Sequence, residues 1–83
     1  MSGLHKLQIL RAFSDNAEVG KPATFSFNVL AKTTDLSKEQ LDILLIELER
    51  DRFITEYLVE GTDRFKIILH QKGLDAVQDE SFI

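Results

Sequence analysis

The chain has 83 residues, a formal net charge of −4, 43% hydrophobic and 29% charged residues, and no cysteine. This length and composition indicate one small folded domain, and the net charge works against long-range attraction to nucleic acid or anionic membranes. The lack of cysteine excludes a disulfide framework, a thiolate site and a zinc finger, and His5 and His70 alone do not make a metal site.

The N-terminal segment is predicted to form an amphipathic helix over about residues 3–14. The apolar residues that recur there at helical spacing are Leu4, Leu7, Ile9, Leu10 and Phe13. The polar run SDNAEVGK and the only proline, Pro22, end this helix. Because a proline disfavours helix in the residue before it, the segment PATF is predicted to be extended, as a short strand.

Two further helices are predicted on either side of a tight turn. The first covers residues 26–34, with Val29 and Leu30 directed inward. Asp35 follows it and tolerates the left-handed conformation that such a turn often needs. Ser37 begins the third helix, because SKEQ fits the S-x-x-Q capping box. One apolar stripe then runs along this helix through Leu41, Leu44, Leu45 and Leu48.

The segments FITEYLV and RFKIILH, joined by EGTD, predict a β-hairpin. Strict alternation places Ile54 and Leu58 on the core face, with Glu56 on the same face near an edge. Arg64 and Lys66 then share the opposite face with Tyr57 and Val59.

The segment QKGLDAVQDE predicts a turn into a short last helix. Leu74 and Val77 are expected to face inward from this helix. The closing residues, Ser81 to Ile83, are expected to fray.

Three segments in this order resemble parts of the winged helix-turn-helix family. LAKTTDLSKEQLD (30–42) resembles its helix-turn-helix core, LERDRFI (48–54) the segment leading into the wing, and LHQKGLDAV (69–77) the passage from the last strand into a helix. The resemblance covers about residues 5–77 and implies an α+β fold with a three-helix core, a β-hairpin wing and a short C-terminal helix. Asp35 and Arg52 stand where the family commonly has glycine, and the third helix lacks a basic outward face.

We therefore predict a single winged-helix domain over residues 1–83. Its parts are the first helix and loop (1–22), the helix-turn-helix (23–53), the wing (54–73), and a short C-terminal helix with its tail (74–83). The N-terminus MSGLHKLQIL does not look like a secretory signal, and no apolar run reaches the length of a membrane span. We expect a cytoplasmic protein that does not contact membranes.

The resemblance implies a small transcription-regulator-like module that binds double-stranded DNA, weakly or with the help of a partner, and we expect it to assemble as a homodimer or with a protein partner. Donors for base edges and cations for phosphates are the residue types that such binding requires. The candidate DNA-binding residues are Lys38, Gln40, Arg64, Lys66 and Lys21.

The alternative function is protein–protein contact or homodimerisation with no nucleic-acid role. On the outward side of the third helix, Ile43 and Ile46 are ringed by acids that include Glu39 and Asp42, as in an apolar interface centre with a polar rim. Packing of the isoleucines against the wing or the N-terminal segment is a third, purely structural interpretation.

Ion pairs between residues three positions apart are also expected, joining Arg50 to Glu47 and Arg52 to Glu49.

No enzymatic site, cofactor or small-molecule substrate is predicted. The Gly-Lys pair in VGKPAT lacks the other residues of a phosphate loop, because Asp15 stands at its first glycine and Pro22 at its Ser/Thr position. The acids that alternate with arginines at residues 47–52 indicate a solvated charged surface rather than an acid–base pair in a cleft.

Overall fold

The computed structural model describes residues 3–80, which contain four helices and three strands. Their bounds are α1 Gly3–Asn16, β1 Pro22–Ser26, α2 Phe27–Thr34, α3 Lys38–Arg50, β2 Ile54–Glu60, β3 Arg64–Leu69 and α4 Gln71–Asp79. The strands form one antiparallel sheet in the order β1-β3-β2. The predicted α+β class and the predicted order of elements are confirmed, including the short strand after Pro22.

The turns that begin and end α3 follow from local chemistry. Gln40 N–H donates to the Ser37 hydroxyl at 3.2 Å and Ser37 N–H donates to Gln40 Oε1 at 3.0 Å, which is the predicted capping box. Asp35 and Arg52 have φ values of +61° and +68°. Asp35 and Arg52 therefore both adopt the left-handed conformation that glycine favours, and both stand where winged-helix domains commonly have glycine.

The core lies between the helices and one face of the sheet. The leucine stripe of α3 is buried as predicted, with no member more than 3% exposed. Phe65 of β3 is fully buried at the centre of an aromatic cluster, with ring centroids of four other aromatic residues within 6.0 Å. These four residues are Phe13, Phe25, Phe27 and Tyr57.

A β-bulge in β2 makes the predicted hairpin faces wrong. Thr55 pairs with Ile68 and pairing resumes at Leu58 with Lys66, so β2 has one residue more than β3 over this stretch. Glu56 takes a φ of +52° within the bulge. Since side chains alternate with a period of two, one extra residue moves every later side chain of β2 to the other face.

The bulge exchanges the residues that were predicted for the two faces of the hairpin. Tyr57 packs against the core, whereas Leu58 is 56% exposed on the outer face of the sheet. Lys66 and Arg64 therefore share a face with their cross-strand neighbours Leu58 and Glu60, not with Tyr57 and Val59 as predicted.

Two residues of the apolar patterns predicted for α1 and α2 lie outside the core. Val29 is 65% exposed, contrary to prediction, because α2 buries Phe27 and Leu30 on its inner face instead. The larger phenyl side chain removes more apolar surface from water than valine would. Leu4, in the first turn of α1, is likewise 51% exposed.

The C-terminal helix α4 begins at Gln71, three residues earlier than predicted, and packs against α1. Leu74 and Val77 are half-buried, and the fully enclosed positions are Gly73 and Ala76. The tail from Ser81, for which fraying was predicted, lies outside the described residues. Within residues 3–80, no helix has the length and apolar character to cross a membrane.

Candidate functional site

The outer face of α3 carries an apolar centre between two opposite charges. Glu39, Ile43, Ile46 and Arg50, called the outer stripe below, point away from the buried leucines at successive spacings of four, three and four residues. Ile43 is 54% exposed and Ile46 is 49% exposed. The interpretation that the hairpin or the N-terminal segment covers these isoleucines is wrong for the residues that the structure describes.

On one side of the outer stripe, α3 is held to the hairpin by two acids. The Tyr57 hydroxyl donates to Asp42 Oδ1 at 2.6 Å, and the Tyr57 backbone N–H donates to Glu49 Oε2 at 2.8 Å. Burial, and after it the hydrogen bond to Asp42, raises the pKa of Tyr57 well above its ordinary value of 10.0. The bulge makes this contact possible, because it turns Tyr57 toward α3.

On the other side of the outer stripe, Glu47 pairs with Lys6 of α1 at 2.9 Å. Arg50 has an ion pair with the adjacent Asp51 at 3.8 Å. The predicted pairs of Arg50 with Glu47 and of Arg52 with Glu49 are therefore wrong, since tertiary partners take both glutamates. Among the described residues, Glu39 is the acid of α3 whose side chain has neither a hydrogen bond nor an ion pair.

The candidate DNA-binding residues near the start of α3 both make contacts within the chain. Lys38 Nζ donates to the backbone oxygen of Thr62 at 2.7 Å and lies 5.1 Å from the centre of the Phe27 ring. The Gln40 side chain accepts the capping hydrogen bond from Ser37. The hydrogen bond from Lys38 to Thr62 connects the hairpin turn to the start of α3.

The other three candidates do not converge. Lys21 pairs with Glu18 at 2.8 Å, and Lys66 pairs with Glu60 at 3.4 Å. Arg64 is exposed and, within residues 3–80, has no ion pair. It lies opposite Ser26, at the far end of β1 from Lys21, so the strand separates the two cations by about 16 Å.

Asp63 is an organising residue that the sequence analysis missed. Its side chain accepts from the Ser26 hydroxyl at 2.5 Å and from the Asn28 N–H at 2.9 Å, and its backbone oxygen accepts from the Phe27 N–H at 2.6 Å. These bonds join the hairpin turn to the N-terminus of α2. The bond from Ser26 is the largest cause that lowers the pKa of Asp63, followed by the bond from Asn28.

Replacing Asp63 with asparagine should lower the free energy of unfolding below that of the wild type, and this deficit should be larger at neutral pH than in acid. Its native pKa lies below the unfolded value, so its contribution is present above about pH 4 and is lost as the pH falls through the native pKa. Urea denaturation at pH 7 and about pH 2.5 should therefore show a larger deficit for Asp63→Asn at pH 7. Asp79→Asn, an exposed substitution in α4, serves as the control. An equal deficit at both pH values would contradict this role.

A shallow groove of about 260 Å³ runs beside the outer stripe, between α3 and the end of β2. Its lining residues are Phe27, Lys38, Glu39, Asp42 and Val59. Val59 is 44% exposed there. Across residues 3–80, no group of three or more His, Cys, Asp or Glu side chains is placed to hold a metal ion.

Comparison of the chain with models of known protein families, with curated proteins and with solved structures finds no match. The likeness to winged-helix domains therefore consists of element order and local motifs. The chemistry of the exposed α3 face is the remaining guide to function.

Proposed function

We propose that this chain is a winged-helix module that binds another protein chain through the outer stripe of α3. The order helix, strand, helix, turn, helix, hairpin and helix supports the winged-helix part of the proposal. The observation that carries the function is the half-exposed pair Ile43 and Ile46, which occupies the helix face that a DNA reader would need for polar donors.

The isoleucine pair suits a protein interface on physical grounds. Removal of apolar surface from water contributes about 25 cal/mol per Å², so covering both exposed side chains gains roughly 1–3 kcal/mol. Isoleucine is stiff at χ1 because it branches at Cβ, so little side-chain entropy is lost on contact. Glu39 and Arg50 at the ends of the stripe supply the polar rim that surrounds such centres.

The same surface is poorly suited to DNA. Acids line both sides of the isoleucines, and the net charge of the chain is −4. The polar groups at the start of the helix already serve the fold, since Lys38 binds Thr62 and Gln40 caps α3. A DNA backbone approaching this face would meet carboxylates before donors.

Site-specific photocrosslinking tests the proposal. A benzoylphenylalanine at position 46, in cells that produce the protein, should yield a discrete crosslinked product with another protein chain. The matched control is position 58, because Leu58 is similarly exposed but lies on the outer face of the sheet. Equal products from both positions, or none from position 46, would contradict the proposal.

A second substitution separates binding from folding. Adding Ile43→Asp to the protein that carries the crosslinker at position 46 should abolish the product, because a charge in an apolar interface centre is costly to desolvate. Its circular dichroism and thermal midpoint should stay close to those of the parent, since Ile43 is exposed in the chain.

DNA binding through the hairpin turn is the second candidate function. The observation that favours it is that Lys38 Nζ donates to the backbone oxygen of Thr62, two residues before Arg64, so that two cations lie beside the hairpin turn. On random duplex DNA, Lys38→Ala and Arg64→Ala should each flatten the salt dependence by about one unit per lost phosphate contact. Lys72→Ala, at α4, is the control. Absence of duplex binding at low salt would remove this candidate.

A further inference from the structure

The outer stripe of α3 has the spacing of a helix-pairing seam. Glu39 and Arg50 are eleven residues apart, which at 3.6 residues per turn places them about 20° from one line along the helix, roughly 16 Å apart. Ile43 and Ile46 lie between them on the same side. Alternating steps of four and three residues are those by which one helix packs along another. The stripe is therefore a second packing surface, opposite the leucines.

The stripe is complementary to itself in one orientation only. In an antiparallel pair with a two-fold axis at the midpoint between Ile43 and Ile46, each position faces the one equally far on the other side of that midpoint. Ile43 then meets Ile46 of the second copy. Glu39 meets Arg50 of the second copy, and the same pair recurs at the other end. A parallel pair would instead bring Glu39 against Glu39 and Arg50 against Arg50, which is repulsive.

We infer that the protein bound by the outer stripe is a second copy of this chain, docked antiparallel along α3. This inference rests on the proposed function of that surface and names its partner. Charge complementarity supports this inference, because the acidic end of the stripe attracts the basic end of a second copy, whereas two like ends repel each other.

The charges at the ends of the stripe are available for this contact. Among the described residues, the Glu39 side chain has no hydrogen bond or ion pair, and the partner of the Arg50 side chain is the neighbouring Asp51 at 3.8 Å. The Arg50 side chain is 70% exposed. Arg50 can therefore reach a second chain without breaking a close contact of its own.

The remaining acids of α3 lie beside the stripe and not on it. Across the antiparallel pair, Asp42 lies diagonal to Glu47 of the second copy. Glu47 pairs with Lys6 of its own chain, whereas Asp42 and Glu49 accept hydrogen bonds from uncharged donors of Tyr57 and keep their negative charge, which weakens the attraction between the copies. Glu39 is the acid of the stripe itself, and Arg50 of the second copy balances it.

The dimer should be weak. Its apolar centre is two half-exposed isoleucines from each copy, with one ion pair at each end, which is smaller than the interfaces of about 1,200–2,000 Å² that hold stable complexes. Association should therefore depend on protein concentration and, through the ion pairs, on salt.

Charge reversal, followed by sedimentation equilibrium of the purified protein, tests the inference. Each single substitution, Glu39→Arg or Arg50→Glu, makes both end pairs repulsive and should weaken self-association about tenfold. The double variant Glu39→Arg/Arg50→Glu restores opposite charges in the antiparallel arrangement and should return to within about threefold of the wild type. Asp79→Arg changes the net charge by the same amount as Glu39→Arg, away from the stripe, and is the control.

The outcomes separate this inference from the proposed function. A monomer at all accessible concentrations, or a double variant as weak as the singles, would overturn the second-copy inference. If the crosslinked product from position 46 contained a different protein, the inference would fall while the proposed function stood. If no product formed from position 46, the proposed function would fail as well. A product with the mass of two copies, together with charge-reversal rescue, supports both.

Discussion

Replacing Phe65 with alanine is expected to lower the free energy of unfolding by about 3–5 kcal/mol. Phe65 is fully buried, and its ring centroid lies 4.6 Å from that of Phe27 and 5.8 Å from that of Tyr57. Loss of the Phe65 ring removes the free energy that is gained when the ring leaves water. It also leaves a cavity where the sheet, α1 and α2 meet. Small domains have free energies of unfolding at the low end of about 5–15 kcal/mol, so little stability would remain.

Urea denaturation followed by circular dichroism measures this loss. Phe65→Leu keeps most of the side-chain volume and should cost clearly less than Phe65→Ala. Val29→Ala, at a position that is 65% exposed, should change the free energy of unfolding by no more than about 0.5 kcal/mol. If Phe65→Ala cost under about 1.5 kcal/mol, the aromatic cluster would not be the centre of the core.

Gly73→Ala should destabilise the protein although alanine is the better helix former. A Cβ at this position would lie 2.5 Å from the backbone oxygen of Phe53 and 2.8 Å from Leu69 Cδ1. The backbone oxygen has little freedom to move, because it accepts the His70 N–H at 3.1 Å. Overpacking costs about 1–3 kcal/mol, which exceeds the helix-propensity gain of up to about 1 kcal/mol.

The test is to compare thermal and urea denaturation of Gly73→Ala with those of Gln78→Ala, an exposed substitution in the same helix. We expect a net loss of about 1–2 kcal/mol for the first and almost no change for the second. A stabilised Gly73→Ala would mean that α4 does not approach the backbone of Phe53 this closely.

Local chemistry in the sequence predicts the order of the helices and strands and the buried face of α3. The leucine stripe shows which side is buried, and the serine–glutamine box at residues 37–40 marks where the helix begins. Asp35 tolerates the left-handed turn that separates α2 from α3. These features depend on residues within a few positions of one another, so their pattern is visible without knowledge of distant contacts. The same helical period places Ile43 and Ile46 on the side of α3 opposite the leucines, and the tertiary structure leaves them uncovered.

The tertiary structure decides the features that depend on distant residues or on a single added residue. The bulge at Glu56 reverses the faces of β2, and alternation in the sequence does not reveal it. It also brings Tyr57 to Asp42 and Glu49, whose carboxylates the sequence presents only as part of a charged surface. In the same way, Asp63 caps a helix 35 residues away from its own position in the chain.

The sequence by itself therefore determined the order of the helices, the buried side of α3 and the apolar centre of the outer stripe, because helical periodicity and capping are local. The tertiary structure decided which charges remain available around that centre. An ion pair or hydrogen bond depends on distance in space, and long-range contacts from Lys6 and Tyr57 engage three of the four acids of α3, Glu47 in an ion pair and the other two in hydrogen bonds. Glu39 is left facing outward on the stripe, with Arg50 at its other end.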